Sequence, residues 1–177
     1  MQRYIISIGS GGVNILNDIK SLGSDAKFLY INRIDYEARE DGLTPLFDKI
    51  DDNQKIILDD NDIKSKFIQK LKDIKKVDVV LTFGSKTTKN APDILNILKQ
   101  FDIKFRVYGV MPFSFEGGNR QKIAKDNLDK IKELTDEIFI FYNDELLKKE
   151  NIKNMNKLFK SLSKDIYNSI KEDNYDL

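Results

Sequence analysis

The fold is decided by residues 78–120, which read DVVLTFGSKTTKNAPDILNILKQFDIKFRVYGVMPFSFEGGNR. The stretch opens with an apolar strand at 79–81, continues through a small polar loop at 83–89, and enters a helix at Asn90-Ala91-Pro92-Asp93. A second apolar strand follows at 105–110. A strand, a crossover helix and a strand in this order predict a parallel pair with a right-handed connection, and ligands of such open sheets bind at the carboxyl ends of the strands.

The composition excludes whole classes of chemistry. The chain has 177 residues, enough for one domain with a sizeable core. It has no Cys and no His, which excludes disulfide frameworks, thiolate nucleophiles, imidazole bases and zinc sites built from these residues. Its 30 basic and 29 acidic residues nearly cancel, so its charge favours neither nucleic acid nor a membrane as a partner. Without a long apolar run or a signal segment, we expect a cytoplasmic protein.

The N-terminus contains a glycine-rich turn between a strand and a helix. A buried type of strand at 3–8 ends in Gly9-Ser10-Gly11-Gly12-Val13-Asn14, and the helix that follows has Val13, Leu16, Ile19 and Leu22 on one face. Glycines let a ligand approach the backbone, and a helix N-terminus attracts phosphate. The same turn can instead serve only tight packing of the helix on the strand.

The remaining elements follow from apolar periodicity. We predict a strand at 27–32, an edge strand at 55–58, a helix with Ile63, Phe67, Leu71 and Ile74 on its apolar face, a helix at 118–134 and a strand at 137–142. The final helix is predicted at 151–171, with one apolar stripe of Ile152, Met155, Leu158, Phe159, Leu162, Ile166 and Ile170. Asn90 is the predicted cap of the helix after the central loop.

Several separated motifs resemble the bacterial division GTPase FtsZ and its relative tubulin, in the same order and with similar spacing. They are the turn VMPFSFEGGNR at 110–120, the strand at 137–142 and the following Asn143-Asp144-Glu145-Leu146-Leu147. The resemblance covers most of the chain. It implies a three-layer, Rossmann-like α/β domain with a mostly parallel sheet at 1–150, a counterpart of the family's central helix packed on it at 151–172, and a tail at 173–177. It also implies a guanine nucleotide, GTP or GDP, with Mg²⁺.

The resemblance implies a set of nucleotide contacts in the first half of the chain. It places Gly9, Gly11, Gly12 and Asn14 near the phosphates and sugar, although the family usually has one more glycine where this chain has Val13. Asn32, with Asp35 aligned more loosely, corresponds to the short loop after the family's second strand.

Further contacts are implied in the second half. Glu116 and Arg120 match the Glu and Arg of the family's Phe-Glu-Gly turn, and the alternative is a plain ion pair between residues four apart. Asn143 opens the segment that leads to the central helix. Asp165 is the counterpart of the Asp that binds the guanine base, shifted by one residue when Phe159 is used as the anchor.

The central loop departs from the family's phosphate-binding run, which is of the type GGGTGTG. This chain keeps Gly84 and Thr88 but has Ser85, Lys86, Thr87 and Lys89 at other positions of the run. A side chain where a backbone must approach closely costs about 1 kcal/mol or more. Lys86 and Lys89 either bind phosphate as point charges or are solvated residues of a weakened site, and we favour the weakened site.

A second departure follows the edge strand, where Asp59-Asp60-Asn61-Asp62 replaces a glycine-rich loop of the family. Acidic side chains repel a triphosphate unless a cation intervenes. We therefore interpret Asp60 or Asn61 as the cap of the next helix, in preference to a magnesium-linked role.

The family's central helix is followed by a loop whose acids complete the neighbouring subunit's site, and then by a second domain. Neither is present in this sequence, so we expect no efficient GTP hydrolysis by this chain alone. We interpret the chain as a divergent FtsZ-like module that acts by self-association or by binding an FtsZ-like filament. One alternative is a GTPase completed in trans by a partner subunit. Another is an unrelated Rossmann-like dinucleotide enzyme, disfavoured because the glycine turn lacks the third glycine of that fingerprint.

Overall fold

A six-stranded sheet forms the centre of the structure, a computed structural model that describes residues 3–33, 46–58, 63–150 and 154–172. The strands are β1 (Tyr4–Ile8), β2 (Lys27–Asn32), β3 (Lys55–Ile57), β4 (Lys76–Thr82), β5 (Lys104–Met111) and β6 (Ile138–Tyr142). All neighbours pair in parallel, in the order β3-β2-β1-β4-β5-β6. The order reverses between β1 and β4, which in doubly wound sheets is where ligands bind.

Within the described ranges, six helices connect and cover these strands. They are α1 (Gly9–Ser21), α2 (Ile63–Leu71), α3 (Ala91–Gln100), α4 (Gly118–Lys132), α5 (Asn143–Glu150) and α6 (Met155–Glu172). Short 3-10 turns lie at Leu46–Lys49, Asp52–Gln54, Thr87–Asn90 and Ser114–Glu116. In the described ranges, no helix is both long enough and apolar enough to cross a membrane.

The sheet is buried on both faces because alternate residues of each strand point to opposite sides. Ile6 and Ile8 of β1 belong to the apolar cluster that contains residues of α2, α3 and α4. Ile5, which precedes Ile6 and so points to the opposite face, belongs to the other cluster, with Leu16 of α1 and Ile166 of α6. This arrangement of helices, sheet and helices confirms the predicted three-layer α/β fold.

A buried ion pair joins the amino-terminal halves of the neighbouring strands β4 and β5. Asp78 of β4 lies opposite Arg106 of β5 in the parallel register, and Arg106 Nε is 3.3 Å from Asp78 Oδ1. Arg3 Nε approaches the other carboxylate oxygen at 3.8 Å. Asp78 and Arg106 are both buried, at the edge of the sheet opposite to the ends of the strands that lead into the loops of the ligand-binding side.

Two predicted helix starts are corrected by the structure. Helix α1 begins at Gly9, so the glycines form its first turn and do not precede it. Asn90 was predicted to cap α3 but makes no capping bond, since the chain enters α3 from a 3-10 turn and Asn90 already has helical backbone angles. A capping residue needs an extended backbone to turn its side chain onto the first free N–H groups.

The end of the chain also differs from expectation. The segment from Asn143 forms a helix of its own, α5, separate from α6. Leu158, Leu162, Ile166 and Ile170 of the predicted stripe are buried, but Met155 and Phe159 are more than 40% exposed. Other predictions lie outside the described residues, namely Asp35, the Asp60 or Asn61 cap, the start of the last helix at 151–152 and the tail at 173–177.

The glycines of α1 generate a stability prediction. A methyl group at Gly12 would lie 2.7 Å from the backbone oxygen of Val80, whereas one at Gly118, in the first turn of α4, would meet no atom within 4 Å. Gly12→Ala should therefore destabilise the fold by about 1–3 kcal/mol through overpacking. Urea unfolding measures the change.

Gly118→Ala is the matched control, because both glycines lie in a helical first turn. It should be neutral or stabilising, since Ala loses less backbone entropy than Gly. Equal stability of the two variants would show that α1 does not press on β4 as described.

Candidate functional site

A cleft of about 510 Å³ opens at the carboxyl ends of the strands, between α1 and α6. The loops after β1, β4, β5 and β6 contribute to it, as expected for the ligand edge of a parallel sheet. Five of the residues predicted from the sequence line this cleft: Gly11, Asn14, Glu116, Arg120 and Asn143. The structure thus brings together residues from the first and last thirds of the sequence.

The side chain of Thr82 leaves room only for glycine at position 11. A methyl group at this position would overlap the side chain of Thr82, at the end of β4. The first turn of α1 also has no side-chain cap, since Ile8 precedes it. The first backbone N–H groups of α1 are therefore not satisfied by a capping side chain, and they lie at the edge of the cleft.

The two long walls of the cleft are polar faces of α1 and α6. Asn14, Asn17 and Asp18 come from α1, and Asn156, Phe159, Lys160 and Ser163 come from α6. Ser163 is buried, and its hydroxyl donates a hydrogen bond to Asp18 Oδ2 at 2.8 Å, with the carbonyl oxygen of Phe159 at 3.0 Å as the alternative acceptor. This contact joins the walls at one end of the cleft.

Most of these wall residues were missed by the sequence analysis. A signal for them exists, because Asn14, Asn17 and Asp18 are spaced i, i+3, i+4, and the four residues of α6 are spaced i, i+3, i+4, i+7. Both patterns describe one face of a helix. The sequence pattern does not show that these two faces oppose each other, because this depends on how α6 packs against α1.

The turn after β5 supplies an aromatic wall. The ring of Phe113 stacks on that of Phe115 with centroids 4.8 Å apart, and it meets Phe159 edge-on at 6.3 Å. Backbone donors fix the turn: Phe113 N–H donates to Glu116 Oε1 at 2.8 Å, and Ser114 N–H donates to the Asp144 carboxylate at 3.1 Å. The rings are thereby held at the rim before any ligand arrives.

Glu116 and Arg120 form an ion pair, with Arg120 Nε 3.1 Å from Glu116 Oε2. The Arg120 side chain is half-exposed, so the pair stabilises the fold little. Its stem also lies over the central loop, because a methyl group at Gly84 would be 3.0 Å from Arg120 Cγ. Arg120 is therefore held between the central loop and the cleft, with donors available to an anion.

Asn143 lines the cleft with its hydrogen bonding incomplete. It is only 7% exposed, and its Oδ1 is buried without a hydrogen-bond partner among the described residues. A buried amide oxygen left without a donor costs about 1–3 kcal/mol. A ligand with an N–H or O–H group pointing at this oxygen would remove that cost.

The central loop satisfies much of its own polar chemistry with side chains. The Ser85 and Thr88 hydroxyls form a short hydrogen bond, Ser85 Oγ accepts from the Thr88 N–H at 3.2 Å, and Thr88 Oγ1 donates to the carbonyl oxygen of Thr82 at 2.6 Å. Ser85 Oγ also lies 3.3 Å from where a methyl group at Gly9 would be. Hydroxyl groups thus occupy the space between this loop and the start of α1.

Asn32, at the end of β2, is hydrogen-bonded to both α1 and the central loop. Its Nδ2 donates to Ser10 Oγ at 3.0 Å, and its Oδ1 accepts from Thr87 Oγ1 at 3.2 Å. Asn32 and Asn14 line a smaller pocket of about 210 Å³ beside the cleft. In the described structure both ends of the Asn32 amide are occupied by neighbouring side chains.

The other predicted site residues do not line the cleft. Gly9, Gly12 and Thr88 are buried in the packing between α1, β4 and the central loop, and Gly84 adopts a positive φ of 87° at the start of that loop. Lys86 is exposed, and Asp165 is half-buried on α6; neither belongs to the cleft lining. The described residues contain no group of three or more acidic side chains placed to hold a metal ion.

Comparison with curated proteins gives one relative of known name. The mitochondrial division protein fszB of Dictyostelium discoideum is 32% identical over 87 residues, which are 48% of this chain and 24% of that protein. No protein-family model matches the chain.

Comparison with solved structures covers nearly the whole chain. The empty FtsZ dimer of M. jannaschii matches with a TM-score of 0.76 and 20% identity, over 97% of this chain and 54% of that one. A GTPγS-bound protofilament of CetZ2 from Haloferax volcanii matches with a TM-score of 0.67 and 16% identity, over 96% of this chain and 57% of that one. The chain spans about half the length of these proteins. At such identities the likeness concerns the fold, and by its fold this chain is an FtsZ/tubulin-like domain.

Proposed function

We propose that this chain binds a guanine nucleotide weakly and acts as an assembly module of the FtsZ type without efficient hydrolysis. The observation that carries the proposal is the contrast between the two ends of the site. The cleft between α1 and α6 offers aromatic surface and the buried Asn143 Oδ1, which has no partner among the described residues, whereas several polar groups of the central loop are paired with one another.

The binding half of the proposal rests on the chemistry of the cleft. Asn143 Oδ1 can accept a hydrogen bond from a ligand, the rings of Phe113 and Phe159 offer a surface for a planar base, and Arg120 supplies positive charge for phosphate. A base, a sugar and an anion together match this set of groups. The CetZ2 structure with GTPγS supports a nucleotide as the ligand class.

The weakness of binding is argued from the central loop. A phosphate cradle needs backbone N–H groups that point at the ligand and have no competing acceptor. Here the Thr88 N–H is already bonded to Ser85 Oγ, and the Ser85 and Thr87 side chains stand against Gly9 at the start of α1. Binding a terminal phosphate would require these hydrogen bonds to break, which lowers the affinity and leaves the phosphate poorly held for hydrolysis.

Assembly is supported by the rim of the cleft and by the relatives. Phe115 is 69% exposed, and Phe159, which lines the cleft, is 42% exposed. Large exposed apolar side chains that share one edge mark interaction surfaces. The CetZ2 relative was solved as a protofilament, which supports a second copy or an FtsZ-like subunit as the partner.

The Ser85 hydroxyl accepts the Thr88 N–H that a phosphate would need, so removing this hydroxyl tests the proposal directly. In calorimetric titrations with Mg²⁺, the unmodified chain should bind GDP and GTP weakly and with similar affinity, and phosphate release should be undetectable. Ser85→Gly frees the Thr88 N–H and should raise the affinity for GTP about tenfold, the effect of one hydrogen bond to a charged group. The affinity for GDP should change less.

Ser85→Thr is the matched control, because it keeps the hydroxyl and should not raise the affinity. Tight GTP binding or rapid hydrolysis by the unmodified chain would contradict a weakened phosphate site. The absence of any nucleotide binding at millimolar concentrations would contradict the binding half.

Asn143→Leu separates ligand binding from stability. The substitution keeps the approximate shape but removes the buried oxygen, so nucleotide affinity should fall several-fold while thermal stability stays the same or rises. Differential scanning calorimetry with and without GDP measures both effects. A variant that loses stability but binds GDP normally would show that Asn143 serves the fold and not the ligand.

Phe115→Ser tests the assembly surface. Because Phe115 is more exposed than the other large apolar residues described, its loss should leave the folded monomer unchanged and should reduce self-association. Sedimentation velocity over a range of concentrations measures the distribution of oligomers. A chain that is monomeric at all concentrations, with or without nucleotide, would remove self-association from the proposal.

A further inference from the structure

We propose that Asp18 of α1 is the residue that selects guanine, in the place where the sequence resemblance had put Asp165 of α6. This inference rests on the proposed function, since it concerns the base of the nucleotide. It is carried by the positions of the two carboxylates: Asp18 lines the cleft and Asp165 does not.

The helical geometry of α6 explains why Asp165 is absent from the lining. Ser163 faces the cleft and bonds Asp18. Asp165 follows two positions later, which is about 200° around the helix axis. With Ser163 turned towards α1, Asp165 therefore points to another side of α6.

Asp18 is held ready to accept hydrogen bonds from a ligand. The Ser163 hydroxyl, buried at the contact between the helices, donates to Oδ2 at 2.8 Å and so orients the carboxylate. The other oxygen, Oδ1, has no hydrogen bond to a described residue. Asp18 is only partly buried and lines the cleft, so its carboxylate is accessible to a ligand there.

The hydrogen-bonding groups of Asp18 and Lys160 complement the donors and the acceptor on the edge of guanine. Guanine presents two adjacent donors, N1–H and the 2-amino group, next to the O6 acceptor, and a carboxylate can accept both donors at once. Lys160 lies one turn before Ser163 on the same face of α6 and can donate to O6. Adenine would place its N1 lone pair against the carboxylate and its 6-amino group near the lysine, so it should be rejected.

Xanthine has a carbonyl oxygen where guanine has the 2-amino group. A variant with a hydrogen-bond donor at position 18 should therefore gain affinity for xanthine as it loses affinity for guanine. The unmodified chain should prefer GDP to ADP and to XDP by about tenfold or more, as charged hydrogen bonds to a base edge predict. Asp18→Asn replaces one acceptor by an NH₂ donor. This variant should bind GDP about tenfold more weakly and XDP more tightly than the unmodified chain, measured by isothermal titration calorimetry with each diphosphate.

Asp165→Asn is the matched control, with the same chemical change outside the cleft, and it should bind all three nucleotides as the unmodified chain does. Unfolding curves of both variants check the fold. The amide introduced by Asp18→Asn keeps one oxygen, which can still accept the hydrogen bond from Ser163.

Two outcomes would overturn the inference while leaving the proposed function intact. They are GDP binding by Asp18→Asn that equals that of the unmodified chain, and a loss of GDP binding in Asp165→Asn. If the unmodified chain binds none of the three nucleotides, the proposed function fails together with this inference.

Discussion

The close approach of α1 to the centre of the sheet is the constraint on which the site depends. Gly12 lies against the backbone of Val80, and Gly11 lies against Thr82, at distances that exclude any side chain. Because the helix sits so low on β4, its polar face, with Asn14 and Asp18, turns towards α6 and forms one wall of the cleft. A larger residue at Gly12 would lift the helix and change the width of the cleft as well as the stability.

The same approach brings the start of α1 to the central loop, where packing and ligand binding make opposite demands. Ser85, Thr87 and Asn32 fill the space beside Gly9 and Ser10; Asn32 bonds Thr87 and Ser10, and Ser85 bonds Thr88. Such a network makes the loop stable without a ligand, since each buried polar group has a partner. It also leaves fewer backbone donors for phosphate. A loop of glycines would have the reverse properties, with free donors and a higher entropic cost of folding.

The sequence predicted the sheet well because its strands are buried on both sides and read as apolar runs. The predicted bounds of β2 agree with the structure, and the edge position of β3 was expected from its short apolar run between polar segments. Helix boundaries were less predictable. Gly11 and Gly12 favoured a turn by their intrinsic preference, yet they are helical, because contacts with β4 outweigh that preference.

For the site, local motifs identified residues that lie at strand ends, such as Asn14, Glu116 and Asn143. Ser163 and Lys160 could not be assigned from the motifs, because their position depends on how α6 is rotated against α1. The absence of Asp165 from the cleft lining has the same origin. An alignment register on α6 uncertain by one residue turns a side chain by about 100°, enough to move it out of the cleft.

The buried pair of Asp78 and Arg106 restricts the register in which β4 and β5 can pair. Adjacent apolar strands such as β4 and β5 could slide past one another, since one branched aliphatic residue packs much like the next. A slip by a single residue would separate the two opposite charges and turn them to different faces of the sheet, each surrounded by aliphatic side chains. The pair therefore disfavours misaligned pairings of the two strands. Through this register it also fixes the relative positions of the loops after β4 and β5, which meet at the opposite edge of the sheet.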